Sequence, residues 1–123
     1  MILAVDIGNT NVVLGAIEGE QILFLERMAT DRSATEIEYM VRIRSVLKYR
    51  GIDPEGLEGA IICSVVPIVT MNVRPAVEQL TGKPAVVVGP GIKTGLKINI
   101  DNPGALGADR VADAVAAVNN YPV

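Results

Sequence analysis

The sequence predicts an α/β domain in which a mixed sheet is flanked by helices, with elements in the order β-β-β-α-β-α-β-α. Short apolar runs separated by turn residues fill the first 28 positions, which predicts an antiparallel meander. Farther along, apolar runs alternate with segments of helical periodicity, the pattern of βαβ units. Half of the 123 residues are hydrophobic but only 3% are aromatic, which favours strands covered by helices over an all-β sandwich.

The meander accounts for the first three elements. Residues 2–6 form an apolar run that ends in polar turn residues, and residues 12–17 resume strand character. Glu18-Gly19-Glu20 marks a second turn, and residues 22–28 make the third strand. Tight turns of this kind join neighbouring antiparallel strands.

A helix is predicted next. Ser33-Ala34-Thr35-Glu36 matches a capping box with Ser33 at the N-cap, and the helix runs to about Arg50 before Gly51 stops it. Its apolar positions recur at helical spacing, at residues 37, 40, 43, 46 and 47.

The remaining elements follow as βαβ units. Residues 59–66 are a nearly unbroken apolar run, typical of a central strand buried on both faces. Pro67 begins a helix that runs to about Leu80 and ends in Thr81-Gly82-Lys83-Pro84, and residues 85–88 form another buried strand.

The C-terminal part of the chain completes the predicted order. An extended segment is predicted over residues 96–100, a loop over 101–104 and an alanine-rich helix from about 108 to 119. A meander followed by βαβ units is the element order of the ribonuclease-H-like module of actin-like ATPases and sugar kinases. We therefore expect residues 1–123 to form one ribonuclease-H-like nucleotide-binding domain.

Composition excludes several classes of function. The net charge of −3 and the scarcity of aromatic residues argue against direct nucleic-acid binding. The absence of histidine removes His-based triads and His metal ligands. The single cysteine, Cys63, lies in an apolar run, which predicts a buried, inert thiol and fits a reducing cytoplasm. No apolar stretch reaches about 18 residues, so no membrane span is predicted.

The first candidate site is the turn Asp6-Ile7-Gly8-Asn9-Thr10-Asn11. Asp6 lies where a buried strand emerges, and its carboxylate suits a water ligand of Mg²⁺. Gly8 is expected to adopt a positive φ and let the backbone approach a phosphate. The amides and hydroxyl that follow supply donors beside backbone N–H groups. The same residues also suit an ordinary hairpin turn. Neither a Walker P-loop nor a dinucleotide-binding glycine fingerprint is present.

The second candidate site is Gly107-Ala108-Asp109-Arg110, at the start of the last predicted helix. Asp109 suits the acceptance of a proton from a substrate hydroxyl, and Arg110 suits bidentate binding of a substrate carboxylate. The alternative is that Asp109 caps the helix and Arg110 is a surface charge.

Five motifs together resemble the type III pantothenate kinases, whose relatives include the Bvg accessory factors. The resemblance covers the whole chain, and the motifs follow the family's order and spacing. They are Asp6-Ile7-Gly8-Asn9-Thr10-Asn11, Ser64-Val65-Val66-Pro67, Gly89-Pro90-Gly91-Ile92-Lys93-Thr94-Gly95-Leu96, Asp101-Asn102-Pro103 and Gly107-Ala108-Asp109-Arg110.

The resemblance implies ATP-dependent phosphorylation of pantothenate, the first step of coenzyme A synthesis. It implies that eight consecutive residues form the ATP phosphate loop: Asp6, Ile7, Gly8, Asn9, Thr10, Asn11, Val12 and Val13. Asp109 then accepts the proton of the pantothenate hydroxyl, while Gly107, Ala108 and Arg110 line the pantothenate site. It further implies Mg²⁺, a monovalent cation (K⁺ or NH₄⁺), a homodimer, and no nucleic-acid or membrane partner.

Two departures from the family pattern stand out. Ile100 occupies a pantothenate-contacting position where the family usually has Tyr, so this side chain packs against the substrate without a hydrogen bond. Family members also carry a second module of similar size, which holds the monovalent-cation site beyond Val123. We therefore expect this chain alone to be inactive. The alternative functions are another actin-like small-molecule kinase, such as an acetate or sugar kinase, and a non-catalytic transcriptional regulator of the Bvg accessory factor type.

Overall fold

In a computed structural model of the chain, residues 1–19 and 21–88 are described. No helix in these ranges is long and apolar enough to cross a membrane. The elements are β1 Ile2–Ile7, β2 Asn11–Glu18, β3 Gln21–Ala29, α1 Glu36–Tyr49, a 3-10 turn at Pro54–Gly56, β4 Gly59–Ser64, α2 Pro67–Thr81 and β5 Ala85–Val88. The predicted extended segment 96–100, the loop 101–104 and the helix 108–119 lie outside the described residues.

The strands form one five-stranded mixed sheet in the order β3-β2-β1-β4-β5. β1 to β3 make an antiparallel meander, which confirms the prediction from their tight turns. β4 joins β1 in parallel after α1, and β5 joins β4 in parallel after α2. β1 therefore lies at the centre of the sheet, with an antiparallel neighbour on one side and a parallel neighbour on the other.

The two faces of the sheet carry different apolar clusters because side chains alternate along each strand. One face packs against both helices through Leu3, Val5 and Ile7 of β1 together with buried residues of α1 and α2. The opposite face carries a second cluster, formed by Ala4, Val13, Ile17, Ile61 and Val88. β1 is buried on both faces, as expected for a central strand.

The first helix is capped by Thr35, so the expected cap at Ser33 is wrong. The Thr35 hydroxyl accepts the Glu38 N–H at 3.3 Å, and the Glu38 carboxylate accepts the Thr35 N–H at 3.1 Å. Ser33 cannot serve because its hydroxyl and its N–H both donate to the Asp31 carboxylate. The capping box is present but lies two residues later than expected.

The buried face of α1 also differs from the expected one. Residues Tyr39, Ile43 and Leu47 face the core, whereas Ile37 is 62% exposed. Met40 and Val46 pack at the border of the core cluster. The apolar periodicity predicted the helix correctly, but the face that is buried includes Tyr39, which the periodicity did not count.

The second helix and its flanks agree with the sequence except at the end of β4. Pro67 occupies the first turn of α2, and Gly82 ends the helix with a left-handed φ of 69°. β4 ends at Ser64 instead of residue 66, because Val66 becomes the N-cap of α2. Cys63, expected to be buried, is only half-buried because it lies near the edge where β4 ends.

Candidate functional site

The carboxyl ends of three parallel strands meet at one edge of the sheet. β1 ends at Ile7, β4 ends at Ser64, and β5 ends at Val88, with Ile7 opposite Ser64 in the register. The Val65 N–H donates to the Ile7 carbonyl at 3.0 Å, so the segments that follow β1 and β4 are in direct contact. In open α/β sheets, ligands bind at this edge.

Asp6 is the buried acidic residue of this edge. It is only 4% exposed and lies opposite Val13 of β2 and Cys63 of β4. Val13 belongs to the apolar cluster on the face opposite α1 and α2, and Asp6 shares that face. Burial of an ionised carboxylate is costly unless other groups compensate its charge, and such positions are over-represented at functional sites.

The turn after β1 is held from one side by the segment that follows β3. The Gly8 carbonyl accepts the Thr30 hydroxyl at 2.7 Å, and the Thr10 carbonyl accepts the Thr30 N–H at 2.9 Å. The Asn9 carbonyl accepts the Arg32 guanidinium at 3.3 Å. All three carbonyl oxygens of the turn therefore face Thr30 and Arg32.

The orientation of these carbonyls determines where the turn's amides point. In a trans peptide the C=O and N–H groups point in opposite directions, and no described peptide bond is cis. The N–H groups of Asn9 and Thr10 consequently face away from Thr30 and Arg32. Two successive N–H groups on one side of a turn are the arrangement from which anion-binding concavities are built.

The expected positive φ at Gly8 is wrong. Among the described glycines, positive φ occurs at Gly19, Gly51 and Gly82. Gly8 is not among them, and its N–H donates to the Asn11 carbonyl at 2.9 Å. The turn thus closes as a hairpin with a two-residue tip. The structure confirms the hairpin interpretation, and the phosphate-loop interpretation stays a prediction.

Sequence reasoning missed Thr30 and Arg32. Besides its contact with the Asn9 carbonyl, the Arg32 guanidinium donates to the Asn9 side-chain oxygen at 3.2 Å. The available signal was topological, because the third strand of a meander returns its carboxyl end to the side of the sheet where the first turn lies. The polar run Thr30-Asp31-Arg32 stands at that end of β3.

Asp31 anchors this supporting segment to α1. The buried Tyr39 hydroxyl donates to the Asp31 carbonyl at 2.9 Å and accepts the Asp31 N–H at 2.8 Å. Arg42 forms an ion pair with the Asp31 carboxylate at 3.1 Å. Hydrogen bonds from Ser33, followed by the one from Arg42, hold the pKa of the Asp31 carboxyl below its usual range.

The segment after β4 supplies the other described part of the edge. The Ser64 hydroxyl accepts the Val66 N–H at 3.0 Å, which fixes the bend into α2. Val66 is an N-cap without a side-chain hydrogen bond to the helix, and Pro67 follows it. The first turn of α2 thus begins at the same edge as the Asp6 turn.

The donor set at this edge fits a metal ion carried by a nucleotide. Among the described residues there is no group of three or more Asp, Glu, Cys or His side chains that could hold a metal. Mg²⁺ commonly uses one or two carboxylates together with phosphate oxygens and water. Asp6 provides one buried carboxylate of this kind.

The predicted acceptor-side residues lie outside the described part of the chain. These residues are Ile100, Gly107, Ala108, Asp109 and Arg110. The structure therefore brings together the predicted residues Asp6 to Val13, with Val12 and Val13 in β2, and leaves the relation of that group to Asp109 as a prediction.

Solved structures with the same fold include two from Thermus thermophilus. The ROK hexokinase matches with a TM-score of 0.57 and 14% identity, over 76% of this chain and 36% of that chain. RuvC matches with a TM-score of 0.56 and 19% identity, over 94% of this chain and 90% of that chain. At these identities the likeness establishes the fold alone, and it confirms the predicted fold class, a mixed α/β sheet flanked by helices.

Sequence relatives are much closer. The type III pantothenate kinase of Halalkalibacterium halodurans is 41% identical over 121 residues, and that of Moorella thermoacetica is 39% identical over 121 residues. In both cases the match covers 98% of this chain and 48% of the relative, so the chain spans about half the length of these relatives. The family model for type III pantothenate kinase matches residues 2–123. This chain therefore belongs to the type III pantothenate kinase family.

Proposed function

We propose that the full-length protein transfers the γ-phosphoryl group of ATP to pantothenate and forms 4'-phosphopantothenate. The observation that carries this proposal is the Asp6 turn, which lies at the carboxyl edge of the sheet with two amides directed away from its supporting segment. A family match over residues 2–123 supports the same reaction. Because the chain spans about half the length of its relatives, the proposal concerns the full-length protein.

The ATP side of the proposed site consists of Asp6, Ile7, Gly8, Asn9, Thr10, Asn11, Val12 and Val13. The N–H groups of Asn9 and Thr10 and the polar side chains of the turn bind phosphate oxygens. The buried carboxylate of Asp6 would hold Mg²⁺ through water. When bound, Mg²⁺ neutralises charge on the phosphate oxygens. Val12 and Val13 are buried and keep the start of β2 fixed.

The acceptor side of the proposed site is built from the second motif. The pantothenate hydroxyl oxygen attacks the γ-phosphorus, the bond from phosphorus to the ADP oxygen breaks, and Asp109 takes the hydroxyl proton. Gly107, Ala108 and Arg110 line the pantothenate site, with Arg110 on the carboxylate. Ile100 packs against the substrate. Phosphoryl transfer has a loose transition state, so Asp109 mainly orients the hydroxyl and takes its proton late.

The full-length protein is further proposed to be a cytoplasmic homodimer that uses K⁺ or NH₄⁺. Residues 1–123 form the first of two ribonuclease-H-like modules in this proposal, and the monovalent-cation site lies beyond Val123. ATP bound between two modules would explain why we expect residues 1–123 alone to be inactive. We also propose that the full-length protein has no nucleic-acid or membrane partner.

The test is ATP-dependent phosphorylation of pantothenate by the full-length protein, with and without K⁺, beside the variant Asp109→Asn. We expect kcat to fall at least about 100-fold in this variant, the lower range of general-base catalysis. The control Glu36→Gln removes an exposed carboxylate from the first turn of α1 and should leave kcat unchanged.

The alternatives give different results in the same assay. A folded protein that binds ATP without phosphorylating pantothenate would overturn the proposal. Turnover of acetate or a hexose by that protein would then indicate another actin-like kinase. Absence of turnover with every acceptor would favour a regulator of the Bvg accessory factor type.

A further inference from the structure

Arg32 is a cation beside the Asp6 turn that lies outside the five motifs described above. Its guanidinium donates to the backbone carbonyl and to the side-chain oxygen of Asn9, at 3.3 and 3.2 Å. Both acceptors are neutral, and Asn9 and Arg32 are both exposed. The contact therefore places a positive charge at the tip of the turn without neutralising it.

The neighbouring acidic residue does not quench this charge. The Asp31 carboxylate is engaged with Arg42 and with both donors of Ser33. None of the ion pairs between described residues involves Arg32. An arginine that is hydrogen-bonded only to neutral groups retains its full positive charge.

The base of Arg32 is held firmly although its side chain is exposed. Thr30 makes two hydrogen bonds to the turn, to the carbonyls of Gly8 and Thr10. Asp31 makes two backbone hydrogen bonds to the buried Tyr39 hydroxyl. Arg32 thus follows two anchored residues, which limits the positions that its guanidinium can reach and reduces the conformational entropy lost on binding.

We propose that Arg32 strengthens the binding of nucleotide phosphate in this protein from the carbonyl side of the Asp6 turn, by bracing Asn9 and by adding a positive charge there. This inference rests on the proposed ATP site at residues 6–13, and it assigns to that site a residue from the segment after β3. The phosphate then contacts the N–H groups on one side of the turn, and the guanidinium attracts it from the carbonyl side without touching it. Arginine suits the bracing of Asn9 because its planar guanidinium can donate to two acceptors at once, here the carbonyl oxygen and the side-chain oxygen of Asn9.

The experiment compares three variants of the full-length protein with wild type. Arg32→Gln removes the charge and keeps an amide donor, Arg32→Lys keeps the charge and loses the fork, and Arg44→Gln removes an exposed cation of α1 far along the sequence from the turn. Steady-state kinetics gives KM for ATP and kcat. Calorimetry with ATP and with adenosine gives Kd without any need for turnover.

We expect Arg32→Gln to raise KM and Kd for ATP about tenfold, the effect of losing one unit charge near the surface of the protein. Arg32→Lys should stay within about threefold of wild type for ATP. In Arg32→Gln the main effect should be on KM and Kd for ATP and not on adenosine binding or kcat, because the lost charge attracts the phosphates in the ground state and the transition state alike. The Gln defect should shrink in about 1 M salt, where the Debye length falls to about 3 Å. Arg44→Gln should match wild type.

Two results would overturn the inference. ATP affinity of Arg32→Gln within twofold of wild type would show that Arg32 does not contribute to phosphate binding. An Arg32→Lys defect as large as that of Arg32→Gln, and independent of salt, would leave only the brace on Asn9. Neither result touches the proposed function, which fails separately if wild type does not phosphorylate pantothenate, and the calorimetry tests Arg32 even then.

Discussion

The variant Tyr39→Phe tests the segment that supports the Asp6 turn without changing the turn itself. Tyr39 is completely buried, and its hydroxyl makes two hydrogen bonds with the Asp31 backbone, at 2.9 and 2.8 Å. Phenylalanine keeps the ring and therefore leaves no large cavity. A net hydrogen bond contributes about 1 kcal/mol, so the loss of two predicts a fall of about 2 kcal/mol in the free energy of unfolding. The two Asp31 backbone groups left without this partner act in the same direction.

The assay is urea denaturation of wild type and Tyr39→Phe, with the free energy of unfolding obtained by linear extrapolation. Tyr49→Phe is the matched control because Tyr49 is 80% exposed, and we expect its stability to be unchanged. Tyr39→Phe should also raise KM for ATP, because it loosens Asp31, which lies between the two residues that contact the turn, Thr30 and Arg32. A loss below about 0.5 kcal/mol, the lower limit for one hydrogen bond, would refute the idea that the Tyr39 hydroxyl anchors this segment.

Two further predictions concern the same region. Thr35→Ala removes the observed N-cap of α1 and should lower the free energy of unfolding by about 1 kcal/mol in urea denaturation, whereas Ser45→Ala, which removes an exposed hydroxyl bonded within α1, should have little effect. The Asp31 carboxyl has a lowered folded-state pKa, so its stabilising contribution is present above its unfolded pKa of about 3.9 and is lost as pH falls through the folded value. The urea midpoint of wild type should therefore fall more between pH 5 and about pH 2 than that of Asp31→Asn, and parallel profiles for the two proteins would contradict the assignment.

The elements that could be predicted from the sequence are those set by local patterns. The bounds of β5 and the start of α2 follow from an apolar run and from Pro67, and both are confirmed. The cap of α1 was misplaced because Ser33 and Thr35 are equally good caps, and only the contact of Ser33 with Asp31 decides between them. The buried tyrosine was overlooked because apolar periodicity does not count a residue that brings a polar group into the core.

The candidate site divides in the same way. Asp6 and its turn could be recognised because they are contiguous in the chain and end a buried strand. Thr30 and Arg32 could not, because their partners Gly8 and Asn9 are more than 20 residues away and the pairing depends on the register of β2 with β3. The residues around Arg32 are polar, as in any exposed loop, so the local sequence does not indicate a site there.

A bulge sets that register. Near the β2–β3 turn, Ile17 pairs with Ile22, but the next pair joins Ala16 to Phe24, so β3 carries one extra residue, Leu23. From there the pairing continues to Asn11 with Ala29, and the Thr30 N–H meets the Thr10 carbonyl. Without the extra residue, β3 would slip by one position, and Thr30 would turn to the other face of the sheet. The contacts of Thr30 and Arg32 with the Asp6 turn therefore depend on the extra residue Leu23 at the opposite end of the β2–β3 hairpin. The geometry of the proposed nucleotide site is thus coupled to a residue that does not contact it.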